Sequence, residues 1–371
     1  MTQATEQATS FRGGALSGAL HRVDVARGRF AGSTAYRLID RNPVVGLGIV
    51  LFTLPFIMPQ VTLGTQILIF GLAATSLNLL FGFGGVLSFG HSTYYGLGVY
   101  AAGLGMIHIV DSLWLAIAMS VLVTAPVAAI LGWFCLRRRG VYFAMLTLAF
   151  NQLVYYTMFH PLGDLTGGDD GLRGIPLAES GIPGVFSYTL SQLREPTVFY
   201  FVVFAFVLAF LFVMSRIVES PLGKGLQAIR ESEDRARAVG FDTNRMQLTV
   251  FVFAGVFAGL AGSFGAMTFT FAGLENLNWF LSGVILIMAI LGGRGTFVGP
   301  FVGAGVYLTL EEYLSQATAS WLLILGAIFV VFVLILPLGV WGTTKALITG
   351  RSYTRPKGEV SPDAPEGTVT A

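Results

Sequence analysis

The chain is short of charge. Asp, Glu, Lys and Arg make up 11% of its 371 residues, where a soluble domain carries about 25%. That excludes an ordinary water-soluble globule. The single cysteine, Cys135, excludes an internal disulfide; at the end of an apolar run it reads as a small buried side chain. The four histidines, His21, His91, His108 and His160, stand apart from one another. No cluster of His, Cys, Asp and Glu has metal-ligand spacing, so no metal is expected. There is no G-x-x-x-x-G-K-[ST] phosphate loop; in Gly223-Lys224-Gly225 a glycine follows the lysine. No nucleophile and base stand at useful spacing, so no catalytic residue is expected. The first 42 residues lack an apolar core and do not read as a cleavable signal peptide. A net charge of +2 says little about partners, and no nucleic-acid partner is expected.

What the chain has is apolar sequence, in long runs. Its residues are 54% hydrophobic and its mean hydropathy is +0.73. Stretches of roughly 20 apolar residues recur from residue 44 to residue 340. The expected fold class is all-α, a polytopic membrane protein of about ten spans. These are placed at 43–59, 61–81, 86–109, 113–136, 141–160, 197–216, 247–271, 278–293, 296–311 and 320–340. Three regions follow: a basic cytoplasmic arm at 1–42, a transmembrane domain at 43–343, and a cytoplasmic tail at 344–371, rich in Pro and Gly, that reads as disordered. With both termini cytoplasmic, only Arg173 and Arg194 of the 22 Lys and Arg fall outside. Asp111, Asp164, Asp169, Asp170, Glu179, Glu195, Glu275, Glu311 and Glu312 fall there too. This asymmetry is the positive-inside rule.

Two glycine-rich elements interrupt the apolar runs. The first is Gly82-Phe-Gly-Gly-Val-Leu-Ser88-Phe-Gly-His91-Ser-Thr-Tyr-Tyr-Gly96. The second is Gly292-Gly293-Arg294-Gly295-Thr296, followed by Gly299-Pro300. Loosened backbone at membrane depth is stable only where protein buries it or a cavity adjoins it, and transporters place their pathways at such breaks. Asn78, Ser88, His91, Ser92, Thr93, Tyr94, Thr147, Asn151 and Ser282 are therefore the candidate pathway residues; taken singly, each also suits a bond between helices. They are neutral, which fits a small zwitterionic or neutral solute. No charged residue lies in the middle of a span, and His91 is the only candidate proton carrier. Ion coupling is accordingly disfavoured, and the energy source is expected on another chain.

The inside loop 217–246 is the most charged stretch. Ser220-Pro221 starts one short helix and Ser232 a second, which ends at Gly240. Pairs Glu231–Arg235 and Glu233–Arg237 have helical spacing. The loop reads as a rigid knob for a cytosolic motor, with Lys224, Arg230, Glu231, Glu233, Asp234 and Arg235 at the contact; the plainer alternative is a solvated charged loop. Outside, loop 161–196 is the largest. Asp169, Asp170 and Arg173 there are candidates for docking a secreted partner.

At these residues the chain resembles a known family. Leu77-Asn78-Leu79-Leu80-Phe81-Gly82…Gly85…Leu87-Ser88…Gly90-His91 is similar to the signature of permease subunits of branched-chain amino acid ABC importers. So are Arg139-Gly140-Val141-Tyr142-Phe143-Ala144, Leu165-Thr166-Gly167-Gly168-Asp169-Asp170-Gly171-Leu172, Ser220-Pro221-Leu222-Gly223…Glu231-Ser232-Glu233 and Leu291-Gly292-Gly293…Gly299-Pro300. The second of the two paired permeases is the closer likeness. The resemblance implies an inner-membrane subunit that binds no cofactor itself. Its implied partners are a sister permease, two ATPases carrying ATP and Mg, and an extracytoplasmic binding protein. Ser92-Thr93-Tyr94 is more polar than the family's usual Ala-Ala-Phe, and related permeases for urea, amides and aromatic acids share the scaffold. A carrier working without an ATPase is the alternative from another class.

Overall fold

The computed structural model describes residues 43–58, 60–176, 181–182, 186–187, 195–336 and 338–349. The arm 1–42, Arg194 and residues 350–371 lie outside the described residues. The chain divides into two units, Leu38–Gly342, and Met1–Arg37 with Thr343–Ala371.

Helices dominate. They are α1 (Pro43–Ile57), α2 (Val61–Asn78, running into a π turn at Leu79–Phe83), α3 (His91–His108), α4 (Leu113–Cys135), α5 (Val141–Phe159), α6 (Pro196–Glu219), α7 (Pro221–Glu231) and α8 (Glu233–Ala238). Then follow α9 (Thr243–Phe269), α10 (Trp279–Gly292), α11 (Gly299–Ala317), α12 (Trp321–Ile335) and α13 (Gly339–Thr349). Sheet is confined to two-residue ladders: β1 (Leu172–Arg173) pairs with β4 (Phe271–Ala272), and β2 (Gly181–Ile182) with β3 (Phe186–Ser187), both antiparallel. Among the described residues, Val61–Phe83, Leu113–Cys135, Pro196–Glu219, Thr243–Phe269 and Trp321–Lys345 are long and apolar enough to cross a membrane.

Several boundaries differ from the sequence reading, three of them with a clear local reason. The helix expected at 86–109 begins only at His91, because the preceding backbone leaves helical geometry at Gly85, φ +71°. The span expected to end at residue 311 continues to Ala317 and includes Glu311 and Glu312; Leu-Glu-Glu-Tyr-Leu is good helical sequence. Residues 344–349, expected to be unstructured, belong to α13, since Lys-Ala-Leu-Ile also favours a helix.

The centre of the bundle is the crossing of α3 and α9. A Cβ on Gly98 would lie 2.6 Å from the Cα of Gly259, and a Cβ on Gly262 would meet the Tyr95 carbonyl. Thr124 of α4 packs against Gly259 from the other side. Helices in lipid have no hydrophobic drive to associate, so close backbone contact between small residues does that work.

Helix α1 has a weak point that a neighbour repairs. Pro55 lacks an N–H, so the carbonyl of Leu51 loses its partner four residues on. The Tyr200 hydroxyl of α6 donates to that carbonyl. Tyr200→Phe should therefore lower stability by about 1–2 kcal/mol, read as a lower thermal unfolding midpoint in detergent. In a Pro55→Ala background, where the backbone donor returns, the same change should have little effect. An equal loss in both backgrounds would show that the hydroxyl does not serve this carbonyl.

Candidate functional site

The first glycine element delivers the N-terminus of α3 into the interior, where a polar node forms. Ser92, Thr93, Asn151 and Ser282 are all buried. The Asn151 amide nitrogen donates to the Ser92 hydroxyl (3.0 Å), the Thr93 hydroxyl (2.7 Å) and the Leu277 carbonyl (3.1 Å). The Ser92 backbone N–H and the Ser282 hydroxyl meet at 2.8 Å, and the two serine hydroxyls lie 2.8 Å apart. Thr147 accepts from the Phe89 N–H (3.1 Å), and Ser88 from the Gly90 N–H (3.3 Å). His91 Nε2 lies 2.8 Å from the Ser76 hydroxyl, which donates to the Ala73 carbonyl at 2.7 Å. With the Ser76 hydrogen directed to Ala73, His91 is assigned as a donor through Nε2 and an acceptor at Nδ1. That Nδ1 and the Asn151 Oδ1 are buried without a partner among the described residues.

All seven residues are fully or almost fully buried; Ser92, Thr93, Asn151 and Ser282 bond one another, whereas Ser88, His91 and Thr147 bond neighbouring backbone or Ser76. Tyr94 is different. It packs edge-on to Phe251, with ring centroids 5.8 Å apart. Asn78 is not part of the node either. Its Nδ2 donates to the Thr296 carbonyl (2.7 Å), and its Oδ1 accepts from the Gly295 N–H (2.9 Å). It bolts the first glycine element to the second. Sequence reading missed Ser76, whose bond to its own helix is the ordinary behaviour of a helical serine.

Arg230 of α7 reaches the same junction. The Gly82 carbonyl has lost its helical donor, because the Val86 N–H turns to Leu80 instead. The Arg230 guanidinium donates to Gly82 in its place. A cation on the free carbonyl of a helix C-terminus is favoured by both hydrogen bonding and the helix dipole. The arginine stem covers Gly85, where a Cβ would lie 2.8 Å from Cγ, and Leu226 covers Gly84.

The knob itself folds as read. Ser220 caps α7 behind Pro221, and Ser232 caps α8. At its far end the Phe241 N–H bonds the Ala236 carbonyl and the Gly240 N–H bonds the Arg237 carbonyl. That is a Schellman ending, with Gly240 at φ +99°. The expected Glu233–Arg237 pair forms, and one expectation needs correction. The Glu231–Arg235 pair does not form, because Ser232, extended at φ −164°, interrupts the helix between them. Glu233 is tied inward: it binds Arg139 at 2.7 Å, Arg237 at 2.9 Å and the Thr243 hydroxyl at 3.1 Å. Lys224, Glu231, Asp234 and Arg235 remain exposed. Beside them Val239 is 80% exposed and Phe241 is 40% exposed, an apolar pair that the charge-led reading overlooked.

On the opposite face, Asp169 and Asp170 sit on a 3-10 turn and Arg173 on β1, all exposed. The β1–β4 ladder pairs Arg173 with Phe271. Segment 271–277 then runs inward to Leu277, whose carbonyl belongs to the node. Among the described residues no group of three or more His, Cys, Asp and Glu is placed to hold a metal.

A bundle of apolar helices, five of them among the described residues long and apolar enough to cross a membrane, surrounds a neutral polar node and carries a compact charged knob, which is the make-up of a multi-pass membrane protein. The family described as branched-chain amino acid transport system / permease component matches residues 61–334, and the chain belongs to it. The chain is 27% identical over 308 residues to the high-affinity branched-chain amino acid transport system permease protein LivM of Salmonella typhimurium, covering 78% of this chain and 72% of the relative. LivM of Escherichia coli K12 is 27% identical over 319 residues, 81% of this chain and 75% of the relative. LivH of Salmonella typhimurium is 27% identical over 301 residues, 76% of this chain and 93% of the relative. No solved structure matches.

Proposed function

We propose that this chain is the membrane-spanning subunit of an ATP-driven importer for branched-chain or other hydrophobic amino acids, working by alternating access. The observation that carries this reading is the family match across residues 61–334. Helices α1 to α6 and α9 to α12 are the ten spans, both termini are cytoplasmic, and the membrane is the bacterial inner membrane. A sister permease, two ATPases that hold ATP and Mg, and an extracytoplasmic binding protein complete the complex. The chain itself carries no cofactor.

The node of Ser88, His91, Ser92, Thr93, Thr147, Asn151 and Ser282 acts as the seal of the pathway. Its side chains are neutral, and its hydrogen bonds can be exchanged for bonds to solute as the helices part. Asn78 and Tyr94 hold the helices around it. Lys224, Glu231, Asp234, Arg235 and the exposed Val239 meet the ATPase, while Glu233 keeps the knob rigid. Arg230 passes knob movement to the Gly82 break.

The reading is tested with the four kinds of subunit reconstituted in vesicles. Uptake of radiolabelled leucine should require ATP and the binding protein, and urea should not compete. Leucine uptake that persists without the ATPases would return the chain to the stand-alone carriers.

The outer loop yields a separate expectation. Surface charges at a docking site mainly set orientation and association rate. Arg173→Glu should slow association of the binding protein, most strongly at low salt, where screening is weakest. An unchanged association rate at low ionic strength would remove Arg173 from the docking site.

A further inference from the structure

Helix α5 is held in this chain along one narrow face. Of its residues only Phe143, Ala144, Thr147 and Asn151 are buried, while Tyr142, Met145, Leu153 and Tyr156 are exposed. Its outer end is fixed. The buried Thr166 hydroxyl donates to the Met158 carbonyl at 2.7 Å, and the β1–β4 ladder ties the turn that follows to residues 271–272. Its inner end is joined to α4 by a linker of two parts. Arg137 lies over the Trp133 ring, 3.7 Å from its centroid, and the Arg138 N–H bonds the Cys135 carbonyl, so both belong to α4. Arg139 instead reaches the knob, where it binds Glu233 at 2.7 Å. Between Arg139 and α5 stands Gly140, at φ +60° and ψ −131°, a conformation that only glycine adopts readily. A Cβ there would meet nothing within 4 Å, so no packing restrains the joint.

We infer that Arg139 and Gly140 are positioning residues for transport, through which the knob swings α5 about its outer end and so opens the polar node; this role rests on the importer function proposed above. Glu233 is a fixed point on the knob, because Arg237 at 2.9 Å and the Thr243 hydroxyl at 3.1 Å hold the same carboxylate. The central contact of the node has two sides. Ser92 and Thr93 stand on α3, beyond the Gly82 break that Arg230 grips. Asn151 stands on α5, beyond Arg139 and Gly140. The knob thus holds one side of the contact through each arginine, and its movement acts on both. The lengths suffice. At 1.5 Å per residue Asn151 lies about 10 Å and Val141 about 26 Å from Met158. A shift of about 2.5 Å at the inner end then moves Asn151 by about 1 Å. That takes bonds of 2.7, 3.0 and 3.1 Å beyond hydrogen-bond range. Helix shifts of this order are ordinary in proteins that switch between two states. The Arg139 side chain is more than half exposed, and an exposed ion pair is a weak tie, so its loss slows transport and does not abolish it.

The complete complex in vesicles supplies the test. Arg139→Gln should lower ATP-driven leucine uptake by about 2- to 5-fold, with ATP hydrolysis still running. Arg139→Lys keeps the ion pair and should recover most of the uptake. Equal losses in Arg139→Gln and Arg139→Lys, or none in either, overturn the ionic tie. The movement is read separately. In a Cys135→Ala background the reporter is Ala144→Cys, on the buried face of α5 and outside the node. It should react with a water-soluble thiol reagent in one nucleotide state and be protected in the other. Arg139→Gln should narrow that difference. Labelling that ignores nucleotide while uptake still requires ATP overturns the movement of α5. Labelling that follows nucleotide equally with and without Arg139 overturns the role of the arginine. Leucine uptake that needs no ATP overturns the importer function itself, and this role with it.

Discussion

Arg230→Gln leaves the subunits assembled and ATP hydrolysis running, yet lowers solute uptake by about 10- to 100-fold. The size follows from the bond that is lost. A hydrogen bond to a charged group contributes about 1.5–3 kcal/mol, and each 1.4 kcal/mol is a factor of ten. In the native chain the guanidinium serves the Gly82 carbonyl, which has no other donor once the Val86 N–H has turned to Leu80. Movement of α7 is thereby felt at the glycine break. Glutamine is too short to keep both that bond and the cover over Gly85. Lysine keeps the charge, and Arg230→Lys should recover part of the uptake. The decisive comparison is between uptake and contact with the ATPase. A cysteine at Asp234 should cross-link to the motor subunit as well in Arg230→Gln as in the native background. If the cross-link is lost along with uptake, Arg230 is a motor contact and not an internal tie. If uptake is normal, the tie carries no movement.

The second large effect is at Asn151. Its amide nitrogen serves the Ser92 hydroxyl, the Thr93 hydroxyl and the Leu277 carbonyl. Asn151→Leu keeps the volume and removes every one of these bonds. Each polar group left buried without a partner costs about 1–3 kcal/mol, and in a bundle sealed from water there is no ready substitute. The expected loss is about 3–5 kcal/mol, enough for most of the protein to fail to accumulate in the membrane. Ser282→Ala removes a single hydroxyl from the same node and should cost much less. Membrane yield and the unfolding midpoint in detergent measure both. An Asn151→Leu chain as abundant and as stable as Ser282→Ala would mean that the node is not structurally coupled.

Local features were the legible ones. Helix ends fell close to their expected positions because each is set by neighbours in sequence. Ser220 with Pro221, Ser232, and Gly240 mark the knob without reference to the rest of the fold. Long apolar runs likewise marked the apolar helices. What sequence could not show is bonds across long stretches of chain. Glu233 looked like a solvent-facing acid because Arg139 is 94 residues away. Asn78 looked like a pathway residue because Gly295 and Thr296 lie more than 200 positions on. Arg230 is exposed, as read, but its bond to the Gly82 backbone carbonyl is one that no side-chain pattern announces. The cluster of Ser92, Thr93, Asn151 and Ser282 was legible as polar sequence at membrane depth; its closed set of mutual bonds was not.

The β1–β4 ladder joins residues about a hundred positions apart, and segment 271–277 behind it completes the node. This has a consequence for biosynthesis. Chains emerge N-terminus first and fold as they emerge. While α3 and α5 are already in place, the partners that Leu277 and Ser282 supply to Asn151 and Ser92 have not yet been made. A nascent chain stopped before Leu277 therefore leaves the Ser92 N–H without the Ser282 hydroxyl that accepts from it, a costly state in lipid. Such a fragment presents a surface that membrane quality control can recognise, and translation of one further turn past Leu277 removes it. The last helices thus act as the signal that the earlier ones are finished.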